Sequence, residues 1–86
     1  MNRNSAIIEI DLHGLNKEQA KTAIDAALRR AASPRSSVYR IRVIHGYING
    51  TELRTMVRKH YKKDERVKRV EVGMNPGETD LVLREL

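Results

Sequence analysis

The alternation of apolar and polar residues along this chain changes period four times, and a turn divides its last stretch, which predicts six elements in the order β-α-β-α-β-β. Residues 6–12 alternate with the two-residue period of a strand. Ile8, Ile10 and Leu12 share one side, and Ile7, Glu9 and Asp11 the other. Ala20, Ala23, Ile24, Ala27, Leu28 and Ala31 then recur at three- and four-residue spacing, the stripe of a helix that its alanines let lie close to whatever it covers. Asn16 is placed to cap this helix, with Gln19 as its capping-box partner and Leu15 as the staple residue. Ser33-Pro34 ends it. A second strand is expected over 38–44, with Ile41 and Val43 on one face and Arg40 and Arg42 on the other. A second helix starts near Gly50-Thr51 and runs to Tyr61 or Lys62. Its apolar face is Leu53, Met56, Val57 and Tyr61, and its basic face Arg54, Arg58, Lys59 and Lys62. After a polar connection, 67–73 reads as a third strand with Val70 and Val72 opposite Arg69 and Glu71. Asn75-Pro76-Gly77-Glu78 turns the chain, and 79–84 returns as a fourth strand with Leu81 and Leu83 on one face.

Each strand thus has one apolar and one polar face, whereas a sheet covered on both sides reads as continuous apolar runs. Two right-handed crossovers taken in one direction put both helices on the same side. The expected fold is α/β in content and an α+β two-layer sandwich in form: a βαβαββ chain making a four-stranded mixed sheet with two helices on one face. The open face is expected to carry Glu9, Asp11, Arg40, Arg42, Arg69, Glu71 and Arg84. The 86 residues make one domain, 1–86, with residues 1–5 expected to be disordered. With no Phe or Trp, the core must be built from Ile, Val, Leu and Ala.

Charge changes the picture more than composition does. The net charge is +6, but between Leu28 and Arg69 there are 13 basic and 3 acidic residues, so the middle is basic and both ends are acidic. That is the footprint of a polyanion binder, although solubility alone also accounts for a basic surface. There is no cysteine, hence no disulfide framework or thiolate metal site, which fits a reducing cytosol. No segment approaches the roughly 18–20 apolar residues of a membrane span, and the first residues lack the apolar core of a signal peptide. A soluble, cytoplasmic protein is the expectation.

Three short motifs follow the first three strands: Asp11-Leu12-His13-Gly14, then His45-Gly46-Tyr47-Ile48-Asn49-Gly50-Thr51, then Asn75-Pro76-Gly77-Glu78-Thr79. Together they hold four of the five glycines and two of the three histidines. If the strands are parallel neighbours, the motifs meet at one edge of the sheet. Asp11 and His13 sit two apart, so they lean to the same side, and a carboxylate beside an imidazole can orient it as a general base or acid. The plainer alternative is an Asp that accepts backbone N–H bonds in the turn, with His13 an ordinary loop residue. In the second motif, glycines and the N-terminus of the following helix suit a phosphate, with Arg54 one turn in. An ordinary loop with Gly50 for the bend and Thr51 or Asn49 as cap explains it as well. Tyr47 can stack on a base or pack on a neighbouring loop. Asn75 can reach a phosphate or help hold His13, or serve only its turn. His60 reads as a surface residue.

These residues together resemble the Smr (small MutS-related) domain, in its small stand-alone form. Ile10-Asp11-Leu12-His13-Gly14 before a helix, His45-Gly46 with Gly50 and Leu53-Arg54, and Asn75-Pro76-Gly77 before a closing strand carry the likeness in order over almost the whole chain. The resemblance implies a βαβαββ sandwich that binds DNA or RNA and, in several members, nicks or cleaves it. It ties activity to the first two motifs, here Asp11 and His13, and His45, Gly46 and Gly50. One departure stands out. The family's second motif is commonly His/Thr-Gly-x-Gly, whereas Ile48 takes the place of its second glycine and the loop is one residue longer.

On this basis Asp11 would support His13, which handles the proton, with His45 as second proton carrier or phosphate contact. Gly46, Tyr47, Gly50, Thr51, Arg54, Arg58, Arg40, Arg42 and Asn75 would contact nucleic acid. RNA is favoured over DNA because histidine chemistry suits attack by a 2′-hydroxyl, and association with the ribosome is one option among the targets. A divalent ion such as Mg²⁺ remains open, since Asp11 and His13 alone make an incomplete site. The rival readings are a nucleic-acid adaptor without catalysis on the same surface, and a protein-interaction domain that is incidentally basic.

Overall fold

In the computed structural model, which describes residues 6–46 and 51–85, the chain runs β1 (Ile7–Asp11), α1 (Lys17–Ala31), β2 (Arg40–Ile44), α2 (Thr51–His60), β3 (Arg69–Glu71) and β4 (Glu78–Val82). A 3₁₀ turn, Tyr61–Lys63, prolongs α2. The start of α1 follows from its sequence. Gln19 N–H donates to Asn16 Oδ1 at 2.8 Å and Asn16 N–H to Gln19 Oε1 at 3.0 Å, closing the capping box. The helix stops at Ala31 because Pro34 disfavours helical backbone in Ser33 before it.

The sheet order is β1-β2-β4-β3, with β1 and β2 parallel and β4 antiparallel to both its neighbours. The last strand is therefore inserted between the second and third. Its register sets two kinds of rung. Ile8, Ile41, Leu81 and Val70 align across one face, and Glu9, Arg42, Asp80 and Glu71 across the other. Both helices cover the apolar rungs: Ala20, Ile24 and Leu28 of α1 and Leu53 and Val57 of α2 join Ile41, Val43 and Leu81 in one core. The expected architecture, a four-stranded mixed sheet with two helices on one face, is the observed one. The buried Tyr61 hydroxyl donates to Asp25 at 3.0 Å, tying the end of α2 to α1. Burial, then that carboxylate, push the hydroxyl pKa well above the usual tyrosine value, so it stays a donor. No helix among the described residues is long and apolar enough to cross a membrane.

Three expectations need correction. The third strand is three residues rather than seven, because its pairing with β4 stops at Glu71 opposite Asp80, just before Gly73. Val72, expected on the covered face with Val70, is instead 56% exposed. Arg84 leaves the open face to donate to the Ser36 carbonyl at 2.8 Å. The open face is also no basic strip, since Glu78 and Asp80 of β4 alternate onto it. Arg40 sits between Asp80 at 2.6 Å and Glu71 at 2.9 Å, Arg42 bonds Asp80 at 3.2 Å, and Arg69 pairs with Glu71 at 2.8 Å. The expectations for residues 1–5, Tyr47, Ile48, Asn49 and Gly50 lie outside the described residues, as does the Thr51 side chain.

Candidate functional site

Strands β1, β2 and β3 point the same way, so the segments that follow them leave at one end of the sheet. Backbone bonds stitch these segments together. Leu12 N–H donates to the Ile44 carbonyl at 2.8 Å, and His45 and Gly46 N–H both donate to the Gly77 carbonyl at 2.9 and 3.0 Å. The described parts of the three motifs therefore border a common edge. Gly14 and Gly46 turn the chain there with φ of +81° and +77°, where any side chain would be strained even though there is space for one.

In the first motif, Asp11 Oδ1 accepts the His13 backbone N–H at 2.9 Å. The carboxylate holds the turn rather than the ring. Both side chains are exposed, and the His13 imidazole has no hydrogen-bond partner among the described residues. In the third motif, Asn75 Oδ1 accepts from Gly77 N–H at 2.9 Å, and its carbonyl from Glu78 N–H at 3.2 Å, so Asn75 shapes the turn that presents the Gly77 carbonyl.

His45 departs from its expected role. It continues the covered face of β2 beyond Ile41 and Val43 and is only 3% exposed. Its Nδ1 lies 2.7 Å from the Gly46 carbonyl and its Nε2 2.8 Å from Thr79 Oγ1. Since a carbonyl only accepts, Nδ1 carries the proton. Burial pushes the ring pKa below its ordinary value, and Arg58 and Arg54 push the same way against the opposing pull of the Gly46 carbonyl and Glu78. The ring is thus neutral, with both nitrogens occupied. That arrangement suits a structural role, not a proton carrier or a phosphate contact.

Above it, Arg58 of α2 donates its Nε–H to Thr79 Oγ1 at 3.0 Å. Arg54 lies one turn back on the same helix, close enough to lower the Arg58 pKa together with burial. Neither arginine has a carboxylate partner among the described residues, whereas Arg40, Arg42, Arg66 and Arg69 all do. Like charges four residues apart on a helix are unfavourable by about 0.2–0.5 kcal/mol. An anion between them would relieve that.

The structure brings Asp11, His13, His45, Gly46 and Asn75 to one edge, with Arg54 and Arg58 on the helix that covers His45. Arg40 and Arg42 are paired with acidic groups on the open face, where Arg42 shares a small pocket with Asn75 and Glu78. Thr79 went unread as a site residue, yet the alternation 79-81-83 on β4 and 41-43-45 on β2 carries a signal: a polar residue at the next position of each apolar register must be buried with a partner. Among the described residues, no three His, Asp or Glu side chains are grouped to hold a metal ion.

A sequence model of the Smr domain matches residues 10–78. The fold superimposes on the Smr domain of Thermus thermophilus MutS2 with a TM-score of 0.78 and 29% sequence identity, covering 91% of this chain and 99% of that one. No curated protein matches the sequence. Smr domains generally bind nucleic acids, and some members nick them. With the motif edge, the βαβαββ order and a match over most of its length, the chain belongs to the Smr domain family.

Proposed function

We propose that this domain binds the phosphodiester backbone of nucleic acid at the edge shared by its three motifs, and cleaves it there. The observation that carries the reading is the Arg54–Arg58 pair: two neighbouring cations, both half-buried, with no carboxylate partner among the described residues. Charge of that kind suits a phosphate, which two guanidinium groups can hold through several charge-assisted bonds. Gly46 lets the chain turn close by, and His13 offers an exposed imidazole whose backbone Asp11 fixes. In this reading His13 moves the proton, Asp11 positions it, and Arg54 and Arg58 hold the phosphate. RNA is the favoured target, because histidine proton chemistry suits attack by a 2′-hydroxyl.

One feature favours an adaptor that binds without cutting. Asp11 spends an oxygen on a backbone N–H instead of on the His13 ring, so the imidazole lacks the orienting partner that a general base usually has. One experiment separates the two. Labelled single- and double-stranded RNA and DNA are incubated with the protein, with Mg²⁺ or EDTA, and followed by gel and by anisotropy. Salt-sensitive binding with cleavage lost in His13→Ala supports the nuclease, and equal binding with no cleavage the adaptor. Failure to bind any of the four at about 50 mM salt would sink both.

A further inference from the structure

We propose that Thr79 and His45 are positioning residues for Arg58, fixing its guanidinium by Nε so that both terminal nitrogens stay free to grip a phosphate. The proposal rests on the reading that nucleic acid binds at this edge. It begins with the donors. Arginine can only donate, so Thr79 Oγ1 must accept from Arg58 Nε–H at 3.0 Å. The Gly46 carbonyl can only accept, so His45 Nδ1 carries a proton. A neutral ring then leaves Nε2 as an acceptor, and the Thr79 hydroxyl must point its hydrogen there, at 2.8 Å. Every bond runs in one direction, from Arg58 to Thr79 to His45 to Gly46.

Thr79 is 1% exposed, so this hydroxyl has no water to turn towards. Its lone pairs are held facing α2. The Arg58 side chain is anchored at a single atom, and its two terminal nitrogens have no partner among the described residues. A guanidinium held in this way is preorganised for the two-point contact that a phosphate offers, which a lysine ammonium cannot reproduce. Protonating His45 would break the order. Nε2 would become a donor, the Thr79 hydroxyl would need another acceptor, and a third cation would join Arg54 and Arg58, with Glu78 as the acidic group that also acts on the ring.

The test is a binding cycle by anisotropy, using fluorescein-labelled single-stranded RNA and DNA over a salt series. Arg58→Ala and Thr79→Val should each weaken binding about tenfold and remove about one phosphate from the salt slope. Combined, they should be no worse than Arg58→Ala alone, because Thr79 acts only through Arg58. Thr79→Ser, which keeps the hydroxyl, should bind within about twofold of the wild type. Thr79→Val binding like the wild type, or losses that add, would overturn the positioning role while leaving the edge as the binding site. A wild-type protein that binds neither oligonucleotide would instead overturn the reading of the edge, and this role with it. Should Thr79→Val not fold, NMR of the wild type decides: at pH 7 the His45 ring must be neutral with its proton on Nδ1, and Arg58 Nε–H must exchange slowly. A charged ring, an Nε2–H tautomer or a fast-exchanging Nε–H overturns the proposal.

Discussion

At the scale of single residues, the neutral imidazole under α2 makes folding sensitive to acid. His45 has its pKa lowered by burial and by Arg58 and Arg54, so the unfolded chain takes up a proton at a higher pH than the folded one. Stability is fully present above the ordinary histidine pKa of about 6.5 and falls as the pH drops below it. Thermal melts from pH 7.5 to 5.5 should show this decline, and a His45→Gln variant, which cannot titrate, should show a flatter one. A wild-type midpoint that rises on acidification would contradict the buried neutral ring. The sequence made His13, His45 and Asp11 legible as candidates because their motifs are short and their spacing to strand ends is regular. It did not tell the two histidines apart. One lies on the turn and is exposed, whereas the other continues an apolar register and is sealed. The 41-43-45 alternation points His45 to the covered side, but how tightly α2 seals that end of β2 is set by tertiary packing, which no local pattern encodes.

At the scale of elements, both helices were readable because each combines an apolar stripe with its own start or stop signal. The Asn16–Gln19 box is the clearest case. Asn16→Ala should cost about 1 kcal/mol and lower the melting midpoint by about 4–8 °C. A midpoint unchanged within a degree or so would mean that tertiary packing alone sets the start of α1. Strand limits were less legible. β3 is a brief edge strand, and brevity combined with Arg69 on its exposed side guards the edge against pairing with another chain. The place of β4 was not legible either, because alternation reports which face is buried but not which strand lies beside which. That ignorance mattered: Asp80 enters the sheet next to Arg40 and Arg42 only because β4 pairs with β2. Arg40→Ala should therefore destabilise the fold by about 0.5–1 kcal/mol, measured by denaturant unfolding, because it leaves the half-buried Asp80 with Arg42 as its one arginine partner. It should leave the affinity for oligonucleotides unchanged. Loss of affinity without loss of stability would put nucleic acid on the open face.

For the molecule as a whole, the basic middle of the chain does not become one basic face. Folding spreads it over the surface. Arg40 and Arg42 are neutralised on the open sheet, and Arg54 and Arg58 stand at the motif edge without a carboxylate among the described residues. Exposed Arg29 and Arg30 end α1, and Lys59 and Lys63 line a groove of about 1010 Å³ with Lys17 and Lys21. Net charge in sequence is therefore a poor count of phosphate contacts. The division depends on the register of β4. Residues 78, 79 and 80 alternate between the two sides of the sheet, acid, hydroxyl, acid. Sliding that strand by one position would bring Glu78 or Asp80 beneath Arg58 and turn Thr79 outward. The guanidinium would then find its counter-ion inside the protein, and the edge would lose the unneutralised charge proposed to hold a phosphate without the loss of a single basic residue. The length of the hairpin through Asn75, Pro76 and Gly77 thus governs the polarity of a surface to which it adds no charge of its own.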